Sequence, residues 1–145
     1  MEPTVIFKIA NSISMIGWIV MAVLHHRPLT YKIIFNGIVL LLCMLYASVI
    51  VWSFTDPQNG GNFSSLEGVM TLFKNPKAVL AGWVHYLAFD MMVGLFIVHN
   101  SAKNEISRWL VMPCLFFNFM FGPVGLLLYY ILLSVKKRNP VADIF

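Results

Sequence analysis

Four runs of apolar residues dominate the chain: Val5 to Leu24, Ile33 to Phe54, Ala78 to Val98 and Leu110 to Val135. Each is long enough for a helix to cross roughly 30 Å of hydrocarbon at about 1.5 Å per residue. None shows the alternation of a barrel strand, and a chain in lipid must satisfy its own backbone hydrogen bonds. The pattern predicts an all-α protein: a four-transmembrane-helix bundle, one domain over residues 1–145.

The links carry punctuation. His25-His26-Arg27-Pro28-Leu29-Thr30 reads as a turn in which Pro28 ends the first helix and Thr30 caps the second. Asn75-Pro76 reads as the start of the third helix, with Asn75 as N-cap and Pro76 at the first helical position. The link from His99 to Arg108 is short and polar. The long link, Thr55 to Lys77, opens on the loop signal Asp56-Pro57-Gln58-Asn59-Gly60-Gly61. Ser64 and Glu67 then form a capping box, and Leu66, Val69, Met70 and Phe73 follow at helical spacing. That predicts a short amphipathic helix over about 65–73, lying at the membrane interface. Four spans put both termini on one side.

Composition narrows the class. Hydrophobic residues make up 59%, charged residues 11%, and the mean hydropathy is +0.80. A soluble domain carries about a quarter charged residues. An ordinary soluble enzyme, a disulfide scaffold and a disordered chain are therefore excluded. The net charge of +4 is spread over loops, with one cluster at Lys136, Lys137 and Arg138. Such a cluster suits anionic headgroups, so membrane lipids are expected partners and nucleic acid is not. Cys43 and Cys114 lie inside apolar runs and read as buried small hydrophobes, without the spacing of a zinc site. On a four-span reading, Lys8, Lys74, Lys77, Lys136, Lys137 and Arg138 outnumber Arg27, Lys32, Lys103 and Arg108, which favours cytoplasmic termini. The first run is too long for a signal-peptide core, which suits a bacterial inner membrane.

The informative residues are those a span should not contain. Asp90 lies mid-way along the third run, where a carboxylate costs about 2.5–3.5 kcal/mol unless protonated, paired or hydrated. Helical spacing puts Trp83, Tyr86 and Asp90 on one stripe, and His85, Phe89 and Met92 on the next. His85 and Asp90 point roughly 140° apart and need not touch. Asn11, Ser14 and Trp18 share a face of the first run, and Asn36, Cys43 and Ala47 a face of the second. Cys114, Asn118, Gly122, Gly125 and Tyr129 line one face of the fourth, which Pro113 and Pro123 should kink. Packing between helices accounts for Asn11, Ser14 and Asn36. Intramembrane ionisable groups are usually functional, so His85 and Asp90 are the candidate chemistry. His25, His26 and His99 lie at polar turns, where histidine is common; axial haem ligation there rests on spacing alone.

Two motifs then stand out: Leu80-Ala81-Gly82-Trp83-Val84-His85-Tyr86-Leu87-Ala88-Phe89-Asp90, and Pro113-Cys114-Leu115-Phe116-Phe117-Asn118-Phe119-Met120-Phe121-Gly122-Pro123, continuing to Tyr129. With Ser65 to Phe73 and Pro76, they resemble the neoxanthin-synthase-like family, named for a plant abscisic-acid-deficiency protein. The resemblance covers most of Ser64 to Tyr129. It implies a small four-span membrane protein, and in plants the conversion of violaxanthin to neoxanthin. Opening a 5,6-epoxide to an allene needs a proton given to oxygen and a proton taken from a vinylic carbon. The change is redox-neutral, so no cofactor is demanded. On that chemistry Asp90 is the candidate acid and His85 the candidate base. Trp83, Tyr86, Phe89, Cys114, Phe117 and Phe121 are candidates to line a slot for a carotenoid or other isoprenoid, with Asn118 orienting its oxygen. A non-catalytic binding protein for such a lipophile, a small transporter or a scaffold are the competing readings, and a homo-oligomer is compatible with each.

Overall fold

The computed structural model describes residues 2–25, 27–57 and 60–137, apart from the side chain of Pro28. His26 and Arg138, singled out above, lie outside the described residues, as do Gln58 and Asn59 of the loop signal. Among the described residues every regular element is helical. Helix α1 is Pro3–Val23. Helix α2 runs without a break through Pro28–Lys32, a wider π-helical stretch at Ile33–Val39, and Leu40–Phe54. Then come α3 at Leu66–Leu72, α4 at Pro76–Lys103, α5 at Arg108–Phe121 and α6 at Pro123–Lys137.

Among the described residues three helices are long and apolar enough to cross a membrane: α1 with 21 residues, the Leu29–Phe54 part of α2 with 26, and α4 with 28. Helix α4 is the central one, 56% buried over its most apolar window, against 28% and 22% for the other two. Trp83 of α4 donates to Asn11 of α1, and Trp18 packs over Gly94, so α1 and α4 run parallel. Helix α2 runs the other way: Tyr31 meets His99 at one end, and Trp52 lies under the Lys77 ammonium at the other. That second end also carries Pro3, Asp56 and Asn75, with Asp56 and Lys77 ion-paired at 2.8 Å. The opposite end carries Arg108, which donates to the Ala22 carbonyl at 2.8 Å.

Several local signals land where the sequence puts them. The Asn75 side chain accepts from Lys77 N–H at 2.9 Å, with Pro76 opening α4. Others shift. Pro28 starts α2, and Thr30 sits inside it, donating from Oγ1 to the Leu24 carbonyl at 2.6 Å, so it ties off the end of α1. Ser65, not Ser64, caps α3 by accepting from Gly68 N–H at 3.1 Å, while Ser64 bonds Asn62. Cys114 is buried as expected, but Cys43 is exposed, because its face of α2 has no helix against it.

The largest difference is in the fourth apolar run, which is not one helix. Gly122 adopts φ +47°, and α5 and α6 fold back on each other around it. Helix α5 enters from the Arg108 end and stops beside Tyr86, whose hydroxyl donates to the Met120 carbonyl at 3.2 Å. Helix α6 returns to the end it came from: the Tyr129 hydroxyl donates to Asn100 Oδ1 at 2.6 Å, and the Lys136 ammonium to the Asn104 carbonyl at 3.3 Å and to that of Glu105. Pro123 has no N–H to continue α5, and glycine alone takes the positive φ cheaply. A Cβ on Gly125 would fall on the backbone of Asn118, so the hairpin closes only because that position is glycine. The arms have 14 and 15 residues, about 21 and 22 Å, short of a membrane's hydrocarbon thickness. Pro3 and Lys137 therefore lie at opposite ends of the bundle, not at the same end.

Candidate active site

The tip of the hairpin rests on Asp90. A Cβ on Gly122 would lie 2.5 Å from Asp90 Oδ1 and 3.1 Å from its carboxyl carbon. Breaking a helix strands carbonyls at the end of one half and N–H groups at the start of the other. Helix α4 answers the first: Tyr86 donates to the last carbonyls of α5, and the Asp90 carboxyl lies beside the turn that opens α6. Asn118, fully buried, donates from Nδ2 to the backbone carbonyl of Asp90 at 2.8 Å and fixes the tip against α4.

Next to this contact is a cavity of about 210 Å³. Helix α1 supplies Asn11, Ser14 and Trp18; α4 supplies Trp83, Tyr86 and Asp90; and the hairpin tip supplies Phe119 and Met120. The walls are aromatic. Trp18 meets Phe119 edge-on at 5.5 Å, and Trp83 packs at 5.5 Å on both Phe7 and Tyr86. Trp83 is held by its bond to Asn11 Oδ1, 3.1 Å long. Asp90 is only 8% exposed and Ser14 2%, and neither Asp90 Oδ2 nor Ser14 Oγ has a hydrogen-bond partner. Unpaired buried polar atoms are costly, and both of the residues that carry these two line this hollow. Asn118 Oδ1, behind the tip, is unpaired too. The rim is open on its outer side, where Met15 is 48% and Met120 46% exposed.

Of the residues singled out in the sequence, Asp90, Trp83 and Tyr86 meet in this cavity, with Asn118 holding its floor. His85 does not join them. It stacks on Phe89 at 4.5 Å, meets Tyr46 edge-on at 5.3 Å, and faces a separate hollow toward α2 and α3 lined by Ser53 and Phe73. Cys114 is buried nearer the Arg108 end, its thiol donating to the Leu110 carbonyl. Phe117 and Phe121 stack on each other at 6.4 Å on the outer face of α5. Asn11, Ser14, Met15, Trp18, Leu87, Phe119 and Met120 are the wall residues that sequence reasoning did not assign to the site. Asn11, Ser14 and Trp18 were visible as one face of α1, and packing explained that face equally well.

A family model described as ABA DEFICIENT 4-like matches residues 5–129, which take in the Asp90 stripe and the hairpin as far as Tyr129. The chain belongs to that family. No curated protein and no solved structure matches it. The ABA DEFICIENT 4-like match takes in α5 and the Gly122-Pro123 turn and ends part-way along α6.

Proposed function

We propose that this ABA DEFICIENT 4-like protein is a membrane isomerase that works on the polar end group of a carotenoid or similar isoprenoid in the Asp90 cavity. The observation that carries the reading is the pair of unpartnered polar atoms, Asp90 Oδ2 and Ser14 Oγ, on two residues that line one aromatic hollow open at its rim. Family membership supports the substrate class. At about 210 Å³ the cavity is smaller than the roughly 300–1,000 Å³ of a drug-sized pocket, so it takes a ring-sized end group while the rest of the molecule leaves past Met15 and Met120 into lipid. In the membrane, α1, α2 and α4 span, the α5–α6 hairpin re-enters from one side, and α3 lies at the interface with Leu66 and Met70 outward.

One carboxyl suffices for the chemistry. Protonated Asp90 gives its proton to the epoxide oxygen and the C–O bond opens. The carboxylate so formed takes the vinylic proton, and the electrons of that C–H bond become the second double bond of the allene. Atoms and charge balance, and Asp90 ends as it began. The Ser14 hydroxyl, on the facing wall, holds the oxygen. His85 takes no part in this route, since it faces another hollow.

The test is pigment analysis of membranes that contain the protein and a 5,6-epoxycarotenoid. Asp90→Asn keeps the shape and should lower conversion by about 10²–10⁴-fold, the usual worth of general acid–base catalysis. His85→Phe should leave conversion unchanged. Loss of conversion in His85→Phe with a normal Asp90→Asn would sink the assignment. A broken helix beside a buried carboxylate is also the architecture of carriers. Solute uptake that depends on Asp90, without any product, would favour that reading.

A further inference from the structure

Away from the Asp90 cavity, two hollows lie side by side along α4. One, about 700 Å³, lies between α4 and α6 and is walled by Val93, Leu126, Leu127 and Leu133. The other, about 440 Å³, lies between α4 and α2, at Tyr31, Lys32, Asn36 and His99. Met92 and Phe96 line both, so the two make one groove with a polar mouth and an apolar run. His99 and Met92 are seven residues apart, about 10 Å along α4, and the groove continues to Pro123 at the hairpin turn. It therefore runs from one end of the bundle to mid-depth, which is the reach of a lipid in one leaflet.

The mouth is built for an anion. Lys32 is exposed and has no ion-pair partner among the described residues. The exposed His99 ring stands edge-on to Tyr31 at 4.9 Å. The π-helical stretch Ile33–Val39 brings Phe35 and Asn36 to the same opening, and such wide turns often mark functional positions. Among the described residues that end is basic: Arg27, Lys32, Lys103, Arg108, Lys136 and Lys137 stand there with one acidic residue, Glu105. Charge complementarity selects the headgroup, and the apolar run selects the tail.

We propose that this groove holds one acidic phospholipid, its phosphate at Lys32 and His99 and an acyl chain along Met92 and Phe96. The test is native mass spectrometry of the full-length protein in detergent, titrated with phosphatidylglycerol or with phosphatidylcholine of the same acyl chains. Phosphatidylglycerol should add once per chain, favoured about five-fold, the usual worth of one basic residue near a charged headgroup. Lys32→Gln should remove that preference. Leu127→Trp should fill the groove and weaken both lipids, and Lys74→Gln, at the opposite end, should change nothing. Thermal unfolding of each variant checks that the fold is kept. Equal binding of the two lipids by the wild type, or a preference that survives Lys32→Gln, would overturn the proposal. So would a dimer that Leu127→Trp splits into single chains, because the groove would then be an interface between copies.

Discussion

Gly122→Val should destroy the Asp90 site. Gly122 holds φ +47°, which for an L side chain costs about 1–2 kcal/mol, and a β-branched residue tolerates it least. The new Cβ would also stand 2.5 Å from Asp90 Oδ1 and 3.1 Å from the carboxyl carbon. Overpacking of this kind adds about 1–3 kcal/mol. Turning the Asp90 carboxyl away relieves the contact but not the backbone strain; lifting the hairpin tip off α4 relieves both and takes Phe119 and Met120 out of the cavity wall. The expected result is loss of conversion together with a clearly lower unfolding temperature. Gly37→Ala is the control, since a Cβ there meets nothing within 4 Å, and it should behave as wild type. A Gly122→Val protein with normal activity and unfolding temperature would mean that the chain does not turn at this residue.

The hairpin has a second consequence, for sidedness. A continuous fourth span would carry Lys136 and Lys137 to the Asp56 end of the bundle. The turn at Gly122 keeps them at the Arg108 end, beside Asn104 and Glu105. Among the described residues lysine and arginine then divide with Arg27, Lys32, Lys103, Arg108, Lys136 and Lys137 on one side and Lys8, Lys74 and Lys77 on the other. The positive-inside bias then points the opposite way from the four-span count, and we propose that the Arg108 end faces the cytoplasm and Pro3 the outside. Single cysteines in a background with Cys43 and Cys114 replaced test this with a membrane-impermeant maleimide on intact cells. Glu2→Cys and Ser64→Cys should label at once. Lys103→Cys and Lys137→Cys should label only after permeabilisation. Equal behaviour of Glu2→Cys and Lys137→Cys would restore the fourth span.

Much of this architecture is legible in the residues. Three spans follow from apolar length, because nothing but a helix satisfies the backbone in lipid. The Asn75-Pro76 start of α4 follows from a local hydrogen bond that one turn of chain decides. Asp90, Trp83 and Tyr86 follow from helical spacing, since all three sit on one rigid helix. What hydropathy does not carry is where an apolar run reverses. Leu110 to Val135 has the same apolar character whether it crosses or returns, and only the backbone demands of Gly122, Pro123 and Gly125 decide. Read as one kinked helix, that run presents Phe117 and Phe121 to the site; folded back, it presents Phe119 and Met120. His85 illustrates the same limit. Its helix position was clear, but the cavity it faces depends on α2 and α3, which spacing along α4 does not report.

The most direct test of the Asp90 cavity is to extract the purified wild type, Ser14→Leu and Asp90→Asn proteins and weigh the hydrophobic small molecule that each retains. The account predicts one isoprenoid with an oxygenated end group per wild-type chain. Ser14→Leu, whose added carbons occupy the cavity, should lose it. Asp90→Asn should keep it in unconverted form. Phospholipid alone in all three, or an isoprenoid retained equally by Ser14→Leu, would contradict the claim that this cavity receives the substrate.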